Sequence, residues 1–143
     1  MTRISFHFNV PHRLGYACRL LRKATRQGAL VTATGPAPLL AELDRLLWTF
    51  DPTEFVPHLR RDGAAPVPVR LQGTPVCLVA DPVHALHHGV LVNLGSELPT
   101  GFESFERLVE VVSTEEDDRA AARLRWKHYS ARGYTIEKHE VEA

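Results

Sequence analysis

Arg119, Arg123 and Lys127 recur every four residues near the end of the chain, and Trp126 falls three residues after Arg123 and seven after Arg119. On a helix this spacing stacks the cations along one face and sets the indole beside them. Such a ridge suits two kinds of recognition. It can hold an anionic peptide or a terminal carboxylate, the cations giving charge-assisted hydrogen bonds while the apolar part receives a hydrophobic side chain. It can also hold single-stranded nucleic acid, with bases stacked on the ring. The same residues equally fit a helix whose tryptophan is core and whose charges face solvent, with acids one turn earlier such as Glu115 before Arg119. The surrounding stretch RWKHYSARGY, Arg125 to Tyr134, is dense in cations and rings for a chain with a formal net charge of +0.

A second cluster lies in LLWTFDPTEFVPH, where Trp48, Phe50, Phe55 and Val56 surround an irregular turn. Part of it must be core. An aromatic ring left outside would suit a protein partner.

Residues for catalysis are harder to assemble. Gly35 in ATGPAP follows a strand pattern and opens a helix, the place where an α/β fold can hold a phosphate. No GxGxxG or GxxxxGK[ST] is present, and Pro36 and Pro38 remove backbone donors that a phosphate needs, so a plain strand-to-helix turn is expected. His84, His87 and His88 in HALHHG have only Asp81 near them, and they read as loop histidines rather than metal ligands. His7 reads as a solvent-facing strand residue and His58 as a turn residue. There is no GxSxG, and Cys18 and Cys77 sit in the apolar settings YACRLL and PVCLVA. The expectation is a noncatalytic protein with no cofactor and no metal.

At 143 residues the chain suffices for one core, and a single domain over residues 1–143 is expected. Balanced charge argues against a surface that grips nucleic acid everywhere, though a local patch is compatible with it. Arginine far outnumbers lysine, which favours planar recognition of carboxylate or phosphate. The opening MTRISFHFNV is not a signal sequence, and no apolar run approaches the eighteen or so residues that span a membrane. A soluble cytoplasmic protein with two buried thiols is therefore expected.

The elements that would position these residues follow from periodicity. RISFHFNV alternates Ile4, Phe6 and Phe8 against Ser5, His7 and Asn9, the pattern of a strand with one face in the core. Leu14, Ala17, Cys18, Leu21 and Ala24 share a helical face over residues 13–27, and Ala29 to Ala33 reads as a buried strand. PAPLLAELDRLLWTF then carries Leu39, Leu40, Leu43, Leu46 and Leu47 at helical spacing after two prolines. Strand, helix, strand, helix is the form of an α/β unit with a parallel sheet. DPTEFVPHLRRDGAAP reads as irregular; VPVRL, PVCLVA and GVLVNLG read as strands, with 67–80 as an edge hairpin, and Arg107 to Val112 as a further strand. The last helix is expected to be capped by Ser113 or Thr114 in a capping box with Glu116 or Asp117, to bury Ala120, Ala121 and Leu124, and to stop at Gly133 with Tyr134 folded back.

Both clusters belong to a wider pattern. The chain runs from an FHF strand and a helix with a cysteine through GALVTA, LDRLLWTFDPTEFVPH and GVLVNLG to ARLRWKHYSARGY. In this order, over nearly its whole length, it resembles the chi subunit family of the bacterial DNA polymerase III holoenzyme. LDxxLWxxxxxxFxPH and RxRWKxYxxxGY carry the likeness. The resemblance implies a noncatalytic, three-layer Rossmann-like α/β fold with a mostly parallel sheet and no functional nucleotide-binding loop. It also implies a bridge, binding the acidic C-terminal tail of single-stranded-DNA-binding protein on one side and the psi subunit, and through it the clamp loader, on another. Carried onto this chain, the tail site is Arg119, Arg123, Trp126, Lys127 and Val112. The psi-facing surface is Trp48, Phe55, Val56 and Pro57. By this likeness the segment from Gly73 to His88 is longer than usual, and TIEKHEVEA lacks the aromatic end of better-known members. Strong direct binding of nucleic acid is not expected. A direct single-stranded nucleic acid binder is the alternative, and a degenerate nucleotide-binding enzyme stands behind it.

Overall fold

The computed structural model of the protein describes every residue except Glu54, Ala64, Glu142 and Ala143. Along the chain run β1 (Arg3–Val10), α1 (Arg13–Arg26), β2 (Val31–Thr34), α2 (Ala37–Thr49), β3 (His58–Arg61), β4 (Val76–Val79), β5 (Val90–Asn93), β6 (Arg107–Ser113), α3 (Glu116–Ala131) and β7 (Ile136–Glu140). The strands form one sheet in the order β3-β4-β2-β5-β6-β1-β7, and every pairing is parallel. β3 and β7 are its edges.

Parallel strands need crossovers, and those crossovers cover both faces of the sheet. α1 and α2 supply Ala17, Cys18, Leu21, Leu40, Leu43 and Leu47 to one core, against Val31, Ala33, Val76, Leu78, Val92 and Val109. On the other face α3 and the turn at Phe102–Ser104 meet Ile4, Phe6, Leu91, Leu108 and Val112. The architecture is three-layered and Rossmann-like, as the sequence suggested. Because both faces are covered, VTAT and VCLV in β2 and β4 are buried at every position instead of alternating.

Several expectations change. β3 lies inside the stretch read as irregular. VPVRL contributes only a single 3-10 turn, Val69–Leu71, and β4 sits in the sheet interior between β3 and β2, so 67–80 is not an edge hairpin. Pro75, tolerated at a sheet edge, instead precedes the interior strand, and its carbonyl accepts from Val31 N–H at 2.8 Å. β7 was not anticipated: its sequence IEKHE has a single apolar residue, Ile136, and it is held by pairing to β1. Cys18 and Cys77 are free and buried, and burial pushes both thiols up.

At its N-terminus α3 departs from the expected capping box. Glu115 is the N-cap, and its side chain makes no capping bond. Asp118 instead reaches back to accept Ser113 N–H at 2.7 Å, and Ser113 Oγ accepts Glu115 N–H at 3.3 Å. The C-terminus follows expectation. Gly133 has a φ of 84°, and its N–H donates to Ser130 O at 3.1 Å while Tyr134 N–H donates to Tyr129 O at 3.1 Å. That pair of bonds closes the helix only where the intervening residue is left-handed, which glycine adopts without strain. Tyr134 folds back with its ring 6.4 Å from that of Tyr129.

Candidate functional site

The face that α3 buries is set by polar chemistry. Its buried residues are Asp118, Ala122, Arg125 and Tyr129. Leu124, expected in the core, is 69% exposed, Ala120 is exposed and Ala121 half-buried. The helix is rotated because Arg125 and Tyr129 both reach Glu110 of β6. Arg125 Nε donates to Glu110 Oε2 at 3.1 Å, Tyr129 OH donates to the same oxygen at 2.6 Å, and Asn93 Nδ2 donates to Oε1 at 2.9 Å. Arg125 Nη1 also donates to Ser96 O at 2.8 Å. Burial pushes the Glu110 carboxyl up, while Arg125 and the hydrogen bonds from Tyr129 and Asn93 pull it back. The Tyr129 hydroxyl is raised by burial and by the adjacent carboxylate. A carboxylate accepting from three donors on two segments, α3 and the end of β5, is satisfied, and the loss of a donor brings back part of the cost of burying it.

With Arg125 turned inward, Arg119, Arg123 and Lys127 are left outward as the exposed stripe. They rim a groove of about 480 Å³ between α3 and the sheet edge, together with Lys138 of β7. Phe6, Phe8, Val112, Ala122 and Trp126 form its apolar part, and none of the described residues that line it is acidic. Phe6 and Val112 are each 3% exposed and make the floor. Trp126 is half-buried, its ring 4.9 Å from Phe6, with Lys138 Nζ 5.4 Å from the indole centroid. All five residues assigned to the tail site therefore line one groove. Phe6, Phe8, Ala122 and Lys138 were missed: the phenylalanines read as core, Ala122 lay outside the expected face, and Lys138 lies on the unanticipated strand.

Arg123 is engaged on its outer side. Its Nη2 lies 3.0 Å from Glu116 Oε1, and the Arg123 guanidinium, through that hydrogen bond and its charge, holds the Glu116 carboxyl below its ordinary value. Both side chains are well exposed, and an exposed pair of this kind exchanges readily for another carboxylate. Glu115, the acid expected to pair with Arg119, contributes its backbone carbonyl to Arg119 N–H at 3.0 Å.

The second cluster lies at the end of α2. Trp48 and Phe55 are 60% and 52% exposed, with ring centroids 4.9 Å apart. His58 backs them at 5.1 Å and 5.7 Å. Its Nδ1–H donates to Val56 O at 2.7 Å, and its Nε2 lies 3.2 Å from Asp44 Oδ1. Pro57 is exposed, but Val56 is only 2% exposed and packs in the core, so it cannot belong to a contact surface. Its apolar type and its place between Phe55 and Pro57 concealed that it faces inward.

The remaining expectations concern histidines and the phosphate turn. His7 is not solvent-facing: it hydrogen-bonds to the Tyr16 hydroxyl and lies 4.9 Å from the His139 ring. His88 Nδ1 is 2.9 Å from Ser104 Oγ, and its ring stacks on Phe105 at 4.7 Å. Among the described residues no group of three or more His, Cys, Asp or Glu side chains is placed to hold a metal ion. At the C-terminal ends of β2, β4 and β5 a cleft of about 400 Å³ is lined by Thr34, Gly35, Asp81, Asn93 and Gly95 among others. Open parallel sheets often bind ligands at that end. Here Pro36 caps α2 and Pro38 occupies its first turn, so donors are missing where a phosphate would meet them.

Fold and groove together define an open-sheet α/β protein whose anion-attracting surface has an apolar floor. The sequence model of the family described as DNA polymerase III chi subunit, HolC, matches residues 1–137. DNA polymerase III subunit chi of Pseudomonas aeruginosa is 34% identical over 149 aligned positions, covering 99% of this chain and 98% of the relative. The protein of the same name from Haemophilus influenzae is 29% identical over 128 positions, covering 87% of this chain and 85% of the relative. The chain belongs to the DNA polymerase III chi subunit family. Among the described residues no helix is long and apolar enough to cross a membrane.

Proposed function

We propose that this chain is a noncatalytic, cytoplasmic accessory subunit of a bacterial DNA polymerase III holoenzyme, and that its α3 groove binds the acidic C-terminal tail of single-stranded-DNA-binding protein. One observation carries the reading: Arg119, Arg123, Lys127 and Lys138 surround an apolar floor, with no acid in the lining among the described residues. The two parts match the two features of an acidic tail that ends in a hydrophobic residue. Arg123 or Lys127 meets the terminal carboxylate, Arg123 exchanging Glu116 for it, and the final side chain rests on Phe6, Val112 and Trp126. Arg119 and Lys138 attract the acids upstream. Trp48, Phe55 and Pro57 form a separate surface for a second subunit of the psi type, through which the tail-bound protein is linked to the clamp loader.

Fluorescence anisotropy of a labelled acidic peptide ending in phenylalanine tests the groove. Micromolar-scale binding that salt weakens is expected, with Arg123→Ala and Trp126→Ala each raising Kd about tenfold or more. Failure of the folded wild-type protein to bind, or indifference to both substitutions, would overturn the assignment and move the search to the Trp48 surface.

A further inference from the structure

Across β7 from the groove, on the opposite face of the sheet, lies a second cluster of cations that shares Lys138 with the proposed tail site and adds Arg19, Lys23 and Arg107, which that site does not use. β1, β6 and β7 turn Ser5, His7, Arg107, Glu137 and His139 toward α1, which answers with Tyr16, Arg19 and Lys23. Between them is a cavity of about 450 Å³. Among the described residues, no carboxylate lies within ion-pair distance of Arg19, Lys23 or Arg107. Arg107 makes a single long contact, Nη2 to Ser5 Oγ at 3.4 Å. Arg19 sits over the Tyr16 ring, its Cζ 6.0 Å from the centroid.

We propose that this cavity is a binding site for a phosphate group, held by Arg19, Lys23 and Arg107 and walled by the rings of Tyr16, His7 and His139. Cations from two elements converge there with no carboxylate paired to them among the described residues, whereas several other arginines are paired: Arg13 with Asp118, Arg22 with Asp51, Arg125 with Glu110. Among the described residues Glu137 is the one acid in the lining, so the cavity is net positive and suits a dianion. Tyr16, His7 and His139 stand with centroids 5.8 Å and 4.9 Å apart around His7, a surface against which a base or sugar can rest. His7 feels both its burial and these charges. Burial, then His139, Arg107 and Lys23, lower its pKa to about 4, so the imidazole is neutral at pH 7. An anion bound among those groups favours the imidazolium and raises that value.

The phosphate can come from a free anion or from the backbone of single-stranded nucleic acid, and two probes separate these. Titration of inorganic pyrophosphate and of a short oligothymidylate into the isotopically labelled protein is followed by NMR at the His7 imidazole and the α1 amides. Binding by at least one probe is expected, with the His7 titration displaced upward. Arg19→Ala with Lys23→Ala, both at exposed positions, weakens it at least tenfold, and Arg123→Ala leaves it unchanged. Comparable affinity for both probes identifies a free-anion site; markedly tighter oligothymidylate binding, equally lost in the double variant, identifies nucleic acid backbone. Either result upholds the phosphate site. Silence of the His7 and α1 signals with both probes, or titration of the double variant like the wild type, overturns it. Acidic-peptide binding measured on the same double variant is independent, because neither residue lines the α3 groove.

Discussion

The α3 groove and the Trp48 surface both offer aromatic rings to a partner, and they do so in opposite electrostatic settings. Trp126 sits half-buried among Arg119, Arg123, Lys127 and Lys138. Trp48 and Phe55 stand further out, backed by His58 and Asp44. A ring within a cationic rim selects an anionic chain with an apolar end; a pair of protruding rings with little charge selects an apolar surface of shape. Two rings of the same type can therefore serve different partners, and the flanking charge decides which.

The largest effect expected lies beneath the groove. Arg125→Ala removes the cation from buried Glu110, and urea denaturation should show a loss of about 3–5 kcal/mol. Trp48, 60% exposed, rests on His58 without belonging to its contact with Asp44, so Trp48→Ala should cost far less stability. A small loss for Arg125→Ala would break the contrast at its base. Next in size is partner choice. Trp48→Ala with Phe55→Ala should leave acidic-peptide affinity within about twofold of wild type, against the tenfold or greater loss for Trp126→Ala. Salt comes third: raising NaCl from about 0.05 M to about 0.5 M should weaken peptide binding severalfold, because the Debye length shortens to a few ångströms. Salt-independent binding would mean that the apolar floor alone holds the peptide. The smallest effect concerns Glu116, which competes for Arg123. Glu116→Gln should tighten peptide binding by up to about fivefold, as expected from releasing one exposed pair. Weaker binding in that variant would show that Glu116 orients Arg123 instead of occupying it.

Much of this contrast was legible in the sequence, unevenly. The four-residue spacing of Arg119, Arg123 and Lys127 placed them together because the helix repeats near that period, and Trp126 followed. The rotation of the helix was not legible. Apolar residues mark a buried face only when the core is apolar, and here Arg125 and Tyr129 face inward to satisfy Glu110, leaving Leu124 in solvent. A mostly parallel sheet was legible in the alternation of strand and helix, but the absence of a hairpin at 67–80 was not, and neither were β3 and β7, since HLRR and IEKHE lack apolar runs and depend on their neighbours for hydrogen bonds. His7 was misread for a related reason: alternation exposes one face of a strand only when nothing covers it, and α1 covers this one. Val56 was assigned to a surface by its neighbours in sequence when only the chain's turn decides its direction.

The edge strands carry a consequence for how the molecule behaves at high concentration. An uncovered parallel edge is a template on which a second chain can add a strand, and proteins that function in crowded assemblies must discourage this. β7 ends the sheet with Glu137, Lys138, His139 and Glu140, and β3 ends it with Arg60 and Arg61. An added strand at β7 would have to accommodate a charged or titratable side chain at nearly every step. The α3 groove thus stands beside a strand whose open outer edge discourages the addition of another.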